Sequence, residues 1–295
     1  MERASPPTAF PAAGASAAAI IRIARPEAAW FASDMHLDGT YPSVAQRFLD
    51  LLDVTLAAAP AGFEAPCLFL LGDIFEYWIG DDHLPAVAQT LAARLSAFSR
   101  SGGRVFLMHG NRDFLLGVPM PLKPQATRFP ARCGATLLPD PVVIEVAGRR
   151  VALSHGDALC TDDLRYQQWR LQCRSAHWQQ QFLSRPVKER LAMARSLRQQ
   201  SMQAQAVTET ISGVNQAAVD ALMTQLDTGL LIHGHTHQPM LHHWQTGAGA
   251  GTTATGERSA WRLRWVLSDW AAEPPRGGVL PITAATGTAD HWPRG

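Results

Sequence analysis

Two histidines separated by one residue follow a short apolar run in the last third of the chain. Leu230, Leu231 and Ile232 predict a buried strand, and the turn after it carries His235 and His237. Two imidazoles on one turn can face the same site, and imidazole binds Mn, Fe and Zn in proteins. On its own this pair is only a weak indication of a metal.

Other predicted strands also end at polar side chains, and these strengthen the indication. The residues concerned are Asp34, His36, Asp73, Asn111 and His155. Oxygen ligands mixed with imidazoles suit Mn, Fe or Zn better than Mg or Ca, and seven ligands are too many for one ion. The pattern therefore predicts two ions that share a carboxylate and could activate water against a phosphoryl group. The weaker alternative is that each polar residue only caps a helix or a turn.

Alternating strands and helices must position these residues, which predicts an α/β fold with the ligands at the carboxyl ends of strands. Residues 261–267 alternate apolar and basic side chains, which predicts an edge strand with one wet face. The other predicted strands are residues 28–33, 67–71, 105–109, 142–146, 149–154 and 230–232, with a further short one at 278–283. The predicted helices are residues 44–59, 84–99 and 214–226.

Composition limits the possible partners. A net charge of +1 over 295 residues gives no reason to expect nucleic acid, and no obligate protein partner is evident. No apolar run reaches the roughly 18 residues that a spanning helix needs. Four cysteines without a C-x-x-C pair indicate neither a thiolate zinc site nor a disulfide scaffold, and fit a reducing cytosolic compartment.

Three parts are predicted along the chain. Residues 1–27 are a disordered N-terminal extension, residues 28–272 form one domain with a helical cap inserted at about 161–213, and residues 273–295 are a Pro/Gly-rich tail. The cap is basic between residues 164 and 200, where one acid, Glu189, accompanies eight bases: Arg165, Arg170, Arg174, Arg185, Lys188, Arg190, Arg195 and Arg198.

Aromatic side chains accompany these bases in the cap, namely Trp169, Trp178 and Phe182. Together they suit the surface of an anionic membrane or an amphipathic ligand that bears phosphate. An equal alternative is a solvated helix face whose aromatic residues pack into the core.

As a set, the strand-end motifs resemble the calcineurin-like metallophosphoesterase superfamily. Its D-x-H, G-D, G-N, H-G and G-H-x-H blocks occur here in that order between Asp34 and Pro239. The resemblance implies a four-layer sandwich of two mixed sheets flanked by helices. It also implies the ligands, with Asp34, His36 and His237 at one ion, Asn111, His155 and His235 at the other, and Asp73 bridging both.

The G-N block departs from the wider superfamily at the position after Asn111. Many members have G-N-H-E, in which the histidine helps to protonate a leaving alkoxide, whereas this chain has Arg112 there. Arginine cannot deliver a proton at pH 7, although it can hold a phosphate through two hydrogen bonds. We therefore expect a leaving group that needs no acid. A phosphate monoester that departs from a pyrophosphate is such a leaving group, since its second pKa is roughly 6. The block therefore favours a substrate with a pyrophosphate linkage over an alkyl phosphate ester.

Longer blocks at residues 72–82, 110–117 and 155–163 resemble one family within that superfamily, the UDP-2,3-diacylglucosamine diphosphatases of lipid A biosynthesis. The resemblance implies an enzyme with two Mn²⁺ per chain that hydrolyses UDP-2,3-diacylglucosamine to UMP and 2,3-diacylglucosamine 1-phosphate. Water would attack the uridine-side phosphorus. The cap would clamp the acyl chains and face the bacterial inner membrane, to whose cytoplasmic side the enzyme would bind peripherally.

The same resemblance implies the roles of individual residues. Asp73, Asn111, Arg112 and His235 would be catalytic. The residues implied to contact substrate are Asn111, Arg112, Asp163, Tyr166, Ser201, Gln205, Thr208 and His235. Gln205 and Thr208 stand near positions where the family commonly has Asn and Lys, so the sequence leaves open which group neutralises the sugar phosphate.

Two other functions remain open at this point. One is a phosphodiesterase or nucleotide pyrophosphatase that acts on a soluble substrate. The other is a lipid-binding or nucleotide-binding module that keeps the metal site only as a structural element.

Overall fold

The computed structural model describes residues 20–24, 29–57, 65–146, 148–207, 213–245 and 261–282. The strands are β1 (Ile21–Ile23), β2 (Ala29–Ala32), β3 (Cys67–Leu71), β4 (Arg104–Met108), β5 (Ala135–Leu138), β6 (Val142–Val146), β7 (Arg149–Leu153), β8 (Leu230–His233), β9 (Met240–Gln245), β10 (Trp261–Val266) and β11 (Leu280–Pro281). The helices are α1 (Pro42–Ala57), α2 (Ala86–Arg100), α3 (Phe129–Cys133), α4 (Leu164–Cys173), α5 (Ala176–Leu183), α6 (Val187–Val207) and α7 (Gln216–Gln225).

Two mixed sheets carry the fold. One has the strand order β11-β2-β3-β4-β5, in which β2 to β5 run parallel. The other has the order β1-β6-β7-β8-β10-β9, in which β7, β8 and β10 run parallel. Because the carboxyl ends of parallel strands meet at one edge of a sheet, each sheet presents several loops at a single edge.

Apolar side chains fill the space between the sheets. Phe31, Phe69 and Phe106 stack on successive strands with ring centroids 4.8 and 4.7 Å apart, and they pack against residues such as Ile144 and Leu230 of the other sheet. Strands buried on both faces read as continuous apolar runs, which is why β3 was readily predicted.

Helices cover the outer faces of both sheets. Leu52 of α1 and Leu91 of α2 pack on the five-stranded sheet, and Val219 and Leu222 of α7 pack on Leu231 of the six-stranded sheet. The resulting layers are helix, sheet, sheet and helix. The predicted fold class, two mixed sheets flanked by helices, is therefore confirmed.

The predicted N-terminal boundary needs correction, and the strand suggested at 278–283 is confirmed in part. Ile21–Ile23, inside the predicted disordered extension, forms β1, which pairs in parallel with β6 and buries Ile23. Leu280–Pro281, inside the predicted tail and the suggested strand at 278–283, forms β11, which pairs with β2. Each segment gains backbone hydrogen bonds at a sheet edge, a contribution that composition alone does not reveal.

The strand at 261–267 was wrongly predicted to be an edge strand. Strand β10 lies between β8 and β9, so both its sides are hydrogen bonded. Its basic residues Arg262 and Arg264 are buried, and Arg262 lies 2.8 Å from a carboxylate oxygen of Asp220 on α7. The alternating side chains of β10 therefore face the core between the sheets on one side and helix α7 on the other. Because α7 covers the side that carries the arginines, that side is not exposed to water.

Helices α4, α5 and α6 form the inserted segment that we predicted as a cap. Phe182 and Leu183 of α5 are buried in the hydrophobic cluster that also contains residues of α1 and α2, and Trp178 is packed against the same cluster. Arg190 of α6 is buried and pairs with Asp82 at 2.7 Å. Among the described residues, none of the helices combines the length and the apolar character that crossing a membrane requires.

Candidate metal centre

The predicted ligands lie on loops that leave the carboxyl ends of strands in both sheets. Asp34 and His36 follow β2, Asp73 follows β3, and His155 follows β7. A contact of 2.9 Å between His155 Nδ1 and the carbonyl oxygen of Leu71 joins the two sheet edges. The seven predicted ligands therefore gather at one place between the sheets.

Backbone conformation marks the same loops. In the described ranges six non-glycine residues have positive φ, and five of them are predicted ligands; the six are Asp34, His36, Asp73, Asp227, His235 and His237. A non-glycine residue with positive φ destabilises the fold by on the order of 1 kcal/mol or more through backbone strain. Such strain concentrates at functional sites. Hydrogen bonds hold the strained loops, since the amide of Asp34 donates to Gly72 and that of His36 to Asp73.

Asp34, His36 and His237 form a first group. One ligand atom from each lies within 4.8 Å of the others. The Nε2 atoms of the two imidazoles are 3.2 Å apart, and His237 Nε2 is 3.5 Å from an oxygen of Asp34. Asp34 is fully buried and accepts the amide N–H of His235 at 2.9 Å.

Asp73, Asn111, His155 and His235 form a second group beside the first. The Asn111 side-chain oxygen lies 3.1 Å from His155 Nε2 and 2.9 Å from His235 Nδ1. One Asp73 oxygen is 3.6 Å from His155 Nε2, and the other is 3.8 Å from His36 Nε2. Asp73 thus faces both groups, which is the position predicted for a bridging carboxylate.

Two glycines let the backbone pass close to these carboxylates. A Cβ atom at Gly110 would lie 2.0 Å from an oxygen of Asp73, and one at Gly234 would lie 2.2 Å from an oxygen of Asp34. Neither position has room for a side chain. The Gly-Asn and Gly-His motifs therefore contain glycine for a steric reason.

Charge interactions at the site are strong because the groups are buried. Burial disfavours the imidazolium of His155, but Asp73 and Asp34 outweigh it and raise the pKa of His155 to about 9. Burial and the neighbouring His155 lower the pKa of His235 to about 4. Burial opposes ionisation of Asp34, yet its hydrogen bond to His237 and the nearby imidazoles hold the pKa of Asp34 well below its usual range.

This donor set fits divalent ions. Carboxylate and amide oxygens converge with imidazole nitrogens, and in the first group one ligand atom from each residue lies within 4.8 Å of the others. Mixed oxygen and nitrogen donors of this kind suit Mn, Fe or Zn. The site residues stay predictions as individual ligands, and their placement is compatible with two ions.

Arg112 lies at the rim of this centre. Its amide donates to Asp73 at 2.8 Å, which fixes the backbone of the loop. Its guanidinium forms no ion pair with any described residue, and its Nε atom is buried without a hydrogen-bond partner. A cationic fork that no described acid contacts directly is available to an anionic ligand.

The two cap residues predicted to contact substrate lie beside the centre and also have structural partners. Asp163 caps α4 by accepting the amide N–H of Tyr166 at 2.9 Å. The Tyr166 hydroxyl donates to Asp157 at 2.5 Å, and its ring lies 6.1 Å from that of His235. The start of α4 is therefore fixed next to a predicted metal ligand.

Three other predicted contacts cannot be placed. Ser201 and Gln205 lie on α6, but their side chains are outside the described part of the structure, as is the whole of Thr208.

Most of the basic cap residues have acidic partners, which favours the structural interpretation of these charges. Arg170 and Arg174 pair with Asp157, Arg185 pairs with Glu189, Arg190 pairs with Asp82, and Arg198 pairs with Glu76. Packing of Trp178 and Phe182 against the core supports the same interpretation. The exposed bases left on the cap are Arg165, Lys188 and Arg195.

Four carboxylates near the ligands were not singled out from the sequence. Asp113 accepts the amide N–H groups of Ile74 and Gly110, and Asp157 binds the cap. Glu76 contacts His36 and Asp269 contacts His237. Asp269 follows β10, which is parallel to β8, so the rule that selected the other strand ends would also have selected Asp269.

Comparison with known proteins gives a consistent result. Residues 29–239 match the model of the calcineurin-like phosphoesterase family. A UDP-2,3-diacylglucosamine hydrolase of Bordetella pertussis is 43% identical over 259 residues, covering 86% of this chain and 90% of the relative. Relatives with the same name are 39% identical in Stenotrophomonas maltophilia and 38% identical in Ralstonia nicotianae. Those two alignments cover 90% and 92% of this chain, and 98% and 94% of the relatives.

Proposed function

The chain belongs to the calcineurin-like phosphoesterase family, and from this premise we propose that it hydrolyses the pyrophosphate bond of UDP-2,3-diacylglucosamine. The products are UMP and 2,3-diacylglucosamine 1-phosphate. The observation that carries the proposal is the position of Asp73, whose two oxygens face His155 of one ligand group and His36 of the other. Relatives named for this hydrolysis cover most of the chain and support the choice of substrate.

The residues that would hold two Mn²⁺ ions are those of the two groups. One ion would be held by Asp34, His36 and His237. The other ion would be held by Asn111, His155 and His235, and Asp73 would contribute to both. Bound there, the ions supply a nucleophilic water at neutral pH and positive charge against the phosphoryl oxygens. The low pKa of His235 leaves its ring neutral and able to bind a cation, whereas an ion that binds at His155 has to displace the proton of that ring.

Arg112 orients the substrate in this proposal. Its guanidinium can bind two oxygens of one phosphate, which aligns the pyrophosphate against the water. It supplies no proton to the leaving group. The leaving sugar phosphate needs none, since the second pKa of a phosphate monoester is roughly 6.

We further propose that Asp163 and Tyr166 contact the substrate and that Ser201, Gln205 and Thr208 do so as well. The enzyme would bind peripherally to the cytoplasmic side of the inner membrane, where an acylated substrate resides. The exposed bases Arg165, Lys188 and Arg195 support this location, because bases near an anionic lipid surface are attracted to it.

The test is hydrolysis of UDP-2,3-diacylglucosamine in detergent with added Mn²⁺, followed by the release of UMP and sugar 1-phosphate. UDP-glucose is the control substrate, and the Asp73→Ala variant is the control protein. We expect release of both products only from the acylated substrate, with a loss of at least about 10³-fold in kcat for Asp73→Ala, because that variant loses the shared carboxylate. Normal UMP release by Asp73→Ala would contradict the proposed centre.

A second candidate is a pyrophosphatase that acts on a soluble nucleotide. The ion-paired arginines and packed aromatic residues of the cap favour it, because they leave fewer groups for lipid. Equal turnover of UDP-glucose and of the acylated substrate would select this candidate. Binding of either substrate without any product would instead select a non-catalytic module.

A further inference from the structure

The imidazole of His36 lies between the ligand group and a carboxylate outside it. Its Nε2 faces inward, 3.2 Å from His237 Nε2 and 3.8 Å from Asp73. Its Nδ1 faces outward and lies 3.0 Å from an oxygen of Glu76. Glu76 is therefore in ion-pair contact with the outer edge of the ring, while Nδ1 itself has no aligned hydrogen-bond partner among the described residues, so a small rotation of either side chain is needed to form the hydrogen bond.

The imidazole of His237 has the same arrangement. Its Nε2 lies 3.5 Å from Asp34, and its outer Nδ1 lies 3.6 Å from an oxygen of Asp269. The side chain of His237 is 39% exposed, whereas that of His36 is 16% exposed. The ring of His237 therefore has less packing to fix its orientation.

An arginine fixes each outer carboxylate. Arg198 of α6 pairs with Glu76. Arg276 donates to both oxygens of Asp269, with Nε at 2.7 and 2.9 Å and Nη2 at 2.7 Å. Both acids are shielded from water, with side chains 14% and 5% exposed. Each acid is thus held in a fixed place behind its imidazole by a charge-assisted pair with an arginine.

The second ligand group is built differently. The outer nitrogen of His155 faces the backbone carbonyl of Leu71 at 2.9 Å, which is a neutral acceptor. A carboxylate behind an imidazole fixes the Nδ1–H tautomer and makes Nε2 a stronger donor to a metal, more so than a carbonyl does.

We propose that Glu76 and Asp269 are positioning residues for one of the two ions. When an ion is bound, they would accept the Nδ1–H of His36 and of His237 and thereby orient both Nε2 atoms toward the position beside Asp34. This inference rests on the proposed metal centre and deepens it. Through its ion pair with Arg198 of α6, Glu76 also connects this ion position to the cap. Asp269 and Arg276 lie beyond residues 29–239, which match the family.

The test is calorimetric titration of the metal-stripped full chain with Mn²⁺, for the wild type and for Glu76→Gln and Asp269→Asn. Loss of such an outer partner typically weakens metal binding by about 10- to 100-fold. We expect one of two Mn²⁺ sites to weaken by that factor in each variant while the other stays within about twofold of the wild type. The shorter contact predicts the larger effect for Glu76→Gln.

Asp82→Asn is the matched control. Like Glu76, Asp82 is a shielded acid that pairs with an arginine of α6, in this case Arg190. Unlike Glu76 and Asp269, it is not among the acids facing His36 or His237. We expect Asp82→Asn to bind both ions as the wild type does, and Glu76→Asp, which keeps the carboxylate, to recover most of the affinity lost in Glu76→Gln. Circular dichroism establishes whether each variant is folded. If Glu76→Gln is not folded, Asp269→Asn alone tests the inference.

Three results would overturn the inference. Folded Glu76→Gln and Asp269→Asn that bind both ions with wild-type affinity would reduce the two acids to ordinary ion-pair partners. An equal loss in Asp82→Asn would assign the effect to a loosened cap. A wild-type chain that binds no Mn²⁺ would remove the proposed metal centre itself, and this result is distinct from the other two because the wild type alone decides it.

Discussion

Arg112 differs from the cap arginines around the metal centre. Arg174 and Arg190 are held by Asp157 and Asp82, whereas the guanidinium of Arg112 forms no ion pair within the described ranges. A partly buried guanidinium that no described acid contacts directly can take a bound anion as its partner. Phosphate recognition is the role that the chemistry of arginine predicts for this residue.

Replacing Arg112 by lysine tests whether the fork or only the charge matters. Lysine keeps the charge but cannot bind two oxygens in one plane. We expect kcat/KM for the acylated substrate to fall by about 10- to 100-fold, which corresponds to roughly 1.4 to 3 kcal/mol. Steady-state kinetics checks this, and Arg100→Lys, at the exposed end of α2, should change nothing. Wild-type kinetics in Arg112→Lys would show that charge alone suffices.

At the scale of single residues, types and spacing predicted the ligand set but not the groups that support it. Aspartate and histidine after a buried strand are recognisable because few structural roles need both there. Asp113 is less recognisable, since its role is to accept the amide N–H groups of Gly110 and Ile74 from two loops. Such partners depend on how loops meet in space, which a linear pattern does not contain.

At the scale of elements, buried parallel strands were the easiest to predict, and short or amphipathic elements were missed. Strands β2, β3 and β8 are buried at every position, so their sequences are continuous apolar runs. Strands β5 and β9 are partly exposed, and α3 has five residues, so none of them has a pattern long enough to identify. The position of β10 depended on β9, which was not predicted.

The cap is joined to the centre through one buried acid. Asp157 accepts hydrogen bonds from the Tyr166 hydroxyl at 2.5 Å and from Arg170 Nε at 2.8 Å, and Arg174 contacts the same oxygen at 3.2 Å. Arg174 also donates to the carbonyl of Gly110, next to a predicted ligand. Helix α4 is therefore oriented by a single carboxylate that lies two residues after His155.

Replacing Asp157 by asparagine should loosen α4. The variant leaves two arginines without a buried counter-charge, and breaking such a pair typically costs about 3 to 5 kcal/mol. We expect the free energy of unfolding to fall by about 3 kcal/mol and KM to rise more than kcat falls, because α4 carries the predicted contacts Asp163 and Tyr166. Urea denaturation and steady-state kinetics measure the two effects.

Asp162→Asn is the control for this prediction. Asp162 lies on the same loop but is exposed, and within the described ranges its carboxylate accepts hydrogen bonds from Asn215 alone, at 2.9 and 3.1 Å. Its replacement should change stability by less than about 0.5 kcal/mol. If Asp157→Asn is as stable as Asp162→Asn, the cap is held by its apolar contacts instead.

At the scale of the whole molecule, the ligand loops of both sheets bring several charged groups together without solvent. Asp34, Asp73, Asp140 and Asp157 all act on His155, and their carboxylates favour its protonated form against the cost of burial. A cation at this place would replace that proton. Metal binding and folding stability should therefore depend on pH in opposite directions above neutrality.

The metal-free protein should lose stability as the pH rises from 6.5 to 9. The pKa of His155 is about 9 in the folded chain and 6.5 in the unfolded chain, so in this range the folded state binds more protons. Its stabilising contribution is complete below pH 6.5 and is lost through pH 9, and the raised pKa of His36 acts in the same direction. Asp113, whose pKa burial raises to about 6, has largely titrated before this range begins.

Melting temperatures with and without Mn²⁺ test this reasoning. With a chelator present, we expect a loss of roughly 2 kcal/mol between pH 6.5 and 9, which is a fall of about 5 °C for a chain of this size. With saturating Mn²⁺ the increment in melting temperature should be larger at pH 9, because binding no longer has to displace the His155 proton. His155→Asn should abolish most of the metal-free slope. A metal-free protein that becomes more stable between pH 6.5 and 9 would mean that the carboxylates around His155 do not hold its proton.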